Sequence, residues 1–277
     1  MKKLLLPFVL LVLPLSAVAN VRLPDVIASS MVLQQKQTVP IWGWADPGET
    51  VTVSFAGQKK TTVADASGKW RVDLGKFSAN ATPQTMTIAG KNTVELKDIL
   101  VGEVWLVAGQ SNMQRLLRET ANGDAVQAAA NHSDIRLFNV RREVGFKKTG
   151  KPIAEWAACT PQSVAEFSAA GYYFAVELQK ELKVPIGMIN SSWGGSQAEA
   201  WTPVEYLNAS PDLKPTVDRT ELWNRTREQV RVEYAAAIET WRKKSDEQKA
   251  AGARPSPSPV CRTRFATIAS LHLYTTA

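Results

Sequence analysis

The sequence predicts an α/β chain: an N-terminal β-sandwich module followed by a parallel sheet with helices on both faces. Three observations carry that prediction. Between Val39 and Leu96 apolar and polar residues alternate in short runs broken by glycine, and at Val101–Ala108 the chain turns almost continuously apolar. Beyond that point strand-like and helix-like segments take turns.

The chain opens on Met1-Lys2-Lys3, an apolar run from Leu4 to Leu15, and Ala17-Val18-Ala19, the small-x-small pattern that a signal peptidase cuts after. Residues 1–19 are therefore expected to be a leader, with a mature start at Asn20 and a periplasmic or secreted location. The run is too short to remain as a bilayer anchor, and no membrane anchor is expected. The β module is placed at 20–97. Val51, Val53 and Phe55 alternate with polar residues, as do Trp70, Val72 and Leu74, then Met86 and Ile88, with Gly57, Gly68 and Gly90 marking turns. Such a module serves as a sugar-binding unit or as a support for its neighbour.

A second domain is expected over 98–210. Val101–Ala108 reads as a strand covered on both faces. Met113–Leu117 opens a helix, Ile135–Val140 forms a strand, and Ala170, Phe174, Leu178 and Leu182 are spaced to line one helix face. Pro185–Asn190 supplies another strand. From 211 to 253 the chain turns helical, with Trp223, Val230, Tyr234, Ile238 and Trp241 near helical spacing, and this is read as a helical insertion. Residues 254–277 form an irregular tail that opens on a Pro/Ser break.

Charge and rare residues narrow the function classes. The formal net charge is +7, but Lys2 and Lys3 leave with the leader, and Lys249, Arg254, Arg262 and Arg264 follow the last acid, Glu247. The body keeps 7 − 2 − 4, or about +1, which is not the basic stripe that nucleic acid requires. Cys159 and Cys261 match no metal or redox spacing, and the only histidines are His132 and His272.

In an open parallel sheet ligands bind beyond the carboxyl ends of the strands, and two loops occupy that position. The first, Gly109-Gln110-Ser111-Asn112-Met113, runs from the buried strand into a helix. Its serine either caps the helix or presents a hydroxyl where backbone N–H groups and the helix dipole favour a developing oxyanion. The second is Asn190-Ser191-Ser192-Trp193-Gly194-Gly195-Ser196-Gln197. Its paired glycines make either an ordinary turn or a backbone that comes close to a ligand.

Gly102-Glu103-Val104-Trp105-Leu106 running into Gly109–Met113 resembles the nucleophile block of the sialate O-acetylesterases, members of the SGNH hydrolase superfamily. Gly187–Pro203, with Asn190–Gly195 and Glu199-Ala200-Trp201-Thr202-Pro203, is similar to the family's second block. The resemblance implies an SGNH-type three-layer α/β/α domain that hydrolyses acetyl esters of carbohydrates. It makes Ser111 the nucleophile and assigns the oxyanion hole to the N–H groups of Ser111 and Gly195, with Gly194 second choice. Gln110, Asn112 and Glu199 become substrate contacts, and Trp201 lines the pocket or belongs to the core. Arg115, Arg118, Arg141 and Arg142 are either a fork for a sialic acid carboxylate or solvated surface. No metal or organic cofactor is implied, and the partner is an acetylated carbohydrate. Acetylated xylan is an alternative substrate, and a non-catalytic carbohydrate-binding protein an alternative class.

The family's Gly-Glu-Ser-Asn block and its C-terminal Asp-x-x-His do not occur in this sequence: Ala129 precedes His132 by three residues and Ala269 precedes His272. The expectation is an incomplete hydrolase domain, from a truncated or frameshifted copy, slower than a complete enzyme by on the order of 10⁴ to 10⁶.

Overall fold

The structure is a computed structural model that describes residues 20–140 and 155–259. Residues 1–19, expected to be a leader, Arg141 and Arg142, and the tail beyond residue 259 with Cys261 and His272 lie outside the described residues. The architecture is mixed α/β, and the chain divides into two units after Glu103.

The first unit holds β1 (Val32–Gln34), β2 (Val39–Trp44), β3 (Thr50–Phe55), β4 (Gln58–Val63), β5 (Lys69–Leu74), β6 (Asn80–Ala89) and most of β7 (Thr93–Val107). β2 and β5 pair antiparallel. β4, β3, β6 and β7 form an antiparallel ribbon, and β1 joins β7 in parallel at Val32 and Leu100. The expected alternation is realised: Val51, Val53, Phe55, Trp70, Val72, Leu74, Met86 and Ile88 are all buried. Burial removes roughly 25 cal/mol of unfavourable hydration per Å² of apolar surface, so the inward faces of β2, β3, β5 and β6 hold this unit together. Glu103 fixes the short β1 by accepting from the side-chain amides of Gln34 (3.0 Å) and Gln35 (2.8 Å).

The second unit begins with the last four residues of β7, next to β10 (Ile186–Asn190), then β8 (His132–Asn139) and β9 (Trp156–Cys159). β10 and β8 are parallel from Ile186/Ile135 to Asn190/Asn139. β9 runs antiparallel to β8, so the expected parallel sheet has an antiparallel edge strand. Between the strands lie α1 (Ser111–Gln114), a 3-10 turn at Leu117–Glu119, α2 (Gly123–Ala129), α3 (Pro161–Val164) and α4 (Ala169–Leu182). A second 3-10 turn (Ala198–Trp201), α5 (Val204–Ala209) and the 37-residue α6 (Lys214–Ala250) follow β10.

Two expectations change here. The helix predicted from Met113 to Leu117 is the single turn α1, because Arg115 leaves helical geometry with ψ at 129°. The inward face of α4 is Gly171, Tyr172 and Ala175, whereas Ala170, Phe174 and Leu182 are exposed and only Leu178 packs partly inward. The reason is closeness: a Cβ on Gly171 would lie 3.1 Å from both Val107 and Phe167, so α4 sits on the sheet through a small residue. The displaced Phe174 meets Trp105 edge-on at 5.1 Å. Trp105 and Leu106, expected to be covered, are 42% and 60% exposed.

Candidate active site

Ser111 is the first residue of α1, and the N-cap position belongs to Gln110. A capping serine must stand at the N-cap and accept from an N–H two or three residues on. Ser111 instead is exposed and donates its hydroxyl proton to Gln110 Oε1 at 2.8 Å. The Ser111 side chain therefore does not cap this helix. The dipole argument also falls, because a single turn sums too few peptide units to give a full macrodipole. What α1 does offer is local: the N–H groups of a helix's first turn have no carbonyl partner within it.

The second loop lies against the first. Ser191 N–H donates to Val107 O (2.9 Å) and Trp193 N–H to Gly109 O (2.8 Å). These bonds bring Gly194 to the turn that starts at Ser111: a Cβ on Gly194 would stand 3.3 Å from Ser111 Cα, 3.4 Å from Ser111 Cβ and 2.9 Å from Gln114 Oε1. Glycine is therefore demanded by close approach at 194. At Gly195 it is demanded by a φ of +76°, in the left-handed region that side chains disfavour. The Gly194 N–H donates to Gln114 Oε1. The Gly195 N–H finds no acceptor among the described residues, and Gly195 is exposed.

Asparagines at the two strand ends brace this arrangement. Asn190, which ends β10 and is buried, donates through Nδ2 to Asn139 Oδ1 at the end of β8 (2.9 Å). Its own Oδ1 accepts from Ser192 N–H (3.1 Å) and Ser192 Oγ (2.7 Å). Asn139 Nδ2 in turn donates to Glu166 O at 3.2 Å. Trp201 is tied to the same loop, its Nε1 donating to Ser196 Oγ (2.9 Å), which donates to Trp193 O (2.6 Å).

The remaining candidates are distributed more loosely. Gln110 and Asn112 are exposed on either side of Ser111, and Glu199 is half-buried in the second 3-10 turn. Arg118 is committed to Glu166 at 3.0 Å, while Arg115 is exposed. His132 starts β8 at the end opposite Asn139, about 23 Å along the strand at ~3.3 Å per residue. Its Nε2 lies 3.4 Å from Tyr172 Oη. Across from it sits Cys159, a free thiol whose burial pushes its pKa up to about 11. Tyr172 is also raised, chiefly by burial and then by Cys159. Among the described residues, His, Cys, Asp and Glu form no group of three able to hold a metal. No helix there is long and apolar enough to cross a membrane.

Sequence reasoning assigned no role to Gln114, Asn139 or to the side chain of Asn190. Asn190 had a signal, since asparagine before Ser-Ser is a common side-chain-to-backbone turn. Gln114 had none, for its contact lies 80 residues away.

The family described as carbohydrate esterase, sialic acid-specific acetylesterase, matches residues 101–244. Sialate O-acetylesterase of Homo sapiens is 32% identical over 225 residues, which cover 72% of this chain and 43% of that protein. The sialate O-acetylesterase of Mus musculus is 30% identical over 232 residues, with the same two shares. Among solved structures, a carbohydrate acetylesterase from Xanthomonas citri aligns with a TM-score of 0.63 at 39% identity, over 68% of this chain and 44% of that one. The chain thus spans 43% of the length of these curated relatives.

Proposed function

This chain belongs to the sialic acid-specific acetylesterase family of carbohydrate esterases, and from that premise we propose that it removes O-acetyl groups from carbohydrates, sialic acids first, with Ser111 as nucleophile. Ser111 Oγ adds to the acetyl carbonyl as its proton passes to a base, and the sugar hydroxyl leaves with a proton. Water then cleaves the acetyl-serine and releases acetate. The oxyanion is met by the N–H groups of Ser111 and Gly195, with Gly194 as the weaker candidate, and Gln110, Asn112 and Glu199 contact the sugar. The chemistry calls for no metal or organic cofactor.

The observation that carries this reading is the close approach of Gly194 to Ser111, an exposed residue, so that the two loops meet at one serine. His132 faces the other end of the sheet. We therefore assign the general base and its orienting carboxylate to an Asp-x-x-His block that this sequence does not carry. In the same reading residues 1–19 export the protein to the periplasm or beyond, and 20–97 are a β-sandwich module. Residues 98–210 are then the nucleophile-bearing part of an SGNH-type domain, and 211–253 an inserted helical segment.

Chemical rescue tests the proposal. The purified 277-residue chain is expected to release acetate slowly from O-acetylated sialic acid and to accelerate when imidazole is added as an external base, with Ser111→Ala abolishing the gain. Imidazole acceleration that survives Ser111→Ala overturns the nucleophile assignment. Ordinary esterase rates without imidazole overturn the external origin of the base. Faster release from acetylated xylan than from sialic acid moves the substrate to plant polysaccharide, and binding of either sugar without acetate release makes the chain a binding protein.

A further inference from the structure

A pair of adjacent glycines in an exposed loop is a poor platform for catalysis, because glycine carries more backbone freedom than any other residue. An oxyanion donor must be held within about 0.5 Å of its productive position. Gly195 has no neighbour within 4 Å of a notional Cβ, so packing does not hold it. Two backbone bonds act nearby, Trp193 N–H to Gly109 O and a longer one from Ser196 N–H to Trp193 O at 3.3 Å. Ser196 Oγ also closes this turn on Trp193 O at 2.6 Å, and among the described residues the side chain that reaches the glycines themselves is Gln114, whose Oε1 takes the Gly194 N–H.

Gln114 closes the turn that Ser111 opens: its N–H donates to Gln110 O at 3.0 Å, while Arg115 N–H donates to Ser111 O at 3.1 Å. The side chain that grips the second loop thus grows from the same turn as the nucleophile. Gly194, whose Cβ position falls against both Ser111 and Gln114 Oε1, is held in a slot between them.

We propose that Gln114 is a positioning residue for acyl transfer: it locks the Gly194–Gly195 peptide onto the nucleophile turn, consumes the Gly194 N–H, and leaves the Gly195 N–H as this loop's donor to the oxyanion. This rests on the esterase reading of Ser111. It also settles the choice between the two glycines, since a donor already bonded to Gln114 is not free for the oxyanion.

The test compares Gln114→Leu, which removes the acceptor at similar volume, with Gln114→Glu, which keeps one. Hydrogen exchange of the Gly194 amide, followed by NMR, should quicken about 10-fold or more in the leucine variant and stay slow in the glutamate variant, as expected when a protecting bond is lost. Unchanged exchange in Gln114→Leu overturns the lock. In the imidazole-assisted assay Gln114→Leu should lower kcat by about 10- to 100-fold with KM within about twofold, as misplacement of catalytic groups does. Gln114→Glu should restore kcat to within a few-fold of the parent. If Ser111→Ala removes the rate while Gln114→Leu leaves it intact, the positioning role is overturned and the esterase reading stands. If Ser111→Ala has no effect, the esterase reading fails, and the exchange measurement alone decides whether Gln114 holds the loop.

Discussion

Strands β8 and β10 run side by side, yet their two ends are built for opposite purposes. At the carboxyl end Asn139 and Asn190 spend their side chains on each other and on the backbone of the loops, and an exposed serine sits beside a glycine pair. At the amino end of β8 the polar groups turn inward: His132 leans on Tyr172, and Cys159 is sealed in the core. The first end pins polar backbone in place while leaving a hydroxyl open. The second only satisfies what it buries. Ligands in such sheets bind beyond the carboxyl ends, so a residue's position along the strand weighs more than its chemical reputation. By that measure a histidine at the amino end is structural.

The largest effect is expected at the point where the two loops touch. Gly194→Val forces a side chain against Ser111 and Gln114 and should drive the second loop away. The imidazole-assisted, Ser111-dependent rate should fall by on the order of 10²–10³, the cost of losing an oxyanion donor. The thermal midpoint should move far less, since the loop is not part of the buried core cluster. An unimpaired Gly194→Val enzyme breaks the claim that this approach builds the site.

Asn190→Ala should come next. It removes the acceptor that serves both the N–H and the hydroxyl of buried Ser192, and each lost hydrogen bond costs about 0.5–1.5 kcal/mol. Urea unfolding should show a loss of that order, and Asn190→Asp, which keeps the acceptor, should recover much of it. Equal losses in both variants shift the weight onto the Nδ2 bond to Asn139.

Much of the first unit was legible because a strand with one covered face writes its burial into a period of two. Val51, Val53 and Phe55 show it, as do Trp70, Val72 and Leu74. β4 was missed for the same reason, since Lys59, Lys60 and Thr61 are all exposed and leave no alternation to read. β9 was missed because four residues are too few to carry a period. In the second unit the spacing of large side chains pointed to the wrong face of α4, which packs through Gly171. The loops of the site were readable as loops, from glycines and serine after apolar strands. Their contact was not, because the Gly194–Gln114 bond joins residues 80 apart and obeys no local rule.

The amino end of the sheet sharpens the comparison through pH. Burial raises Cys159 to about 11, so the native state keeps this proton after the unfolded thiol, near 9.0, has lost its own. Where the unfolded state binds fewer protons, stability falls as pH rises. The stabilising preference for the neutral thiol is fully present below pH 9 and is lost as pH climbs toward 11. The urea midpoint should therefore drop more between pH 8 and pH 10.5 in the parent than in Cys159→Ala, with the difference between the two proteins isolating this group. Identical slopes mean that the thiol is not sealed.

The smallest effect belongs to His132, and it bears hardest on the comparison. A base must come within about 2.6–3.2 Å of the proton it takes, directly or through one water. His132 lies on the order of 23 Å along β8 from the site end, and its contact with Tyr172, at 3.4 Å, is at the long limit of a hydrogen bond. His132→Ala should therefore leave the Ser111-dependent rate within about twofold, with its pH profile unmoved, because removing a distant weak partner changes neither a reacting group nor its positioning. A loss near the 10⁴-fold scale of a missing triad member instead makes the amino end catalytic. The two ends of the sheet then cannot be told apart by position alone, and the general base has to be sought within the described residues.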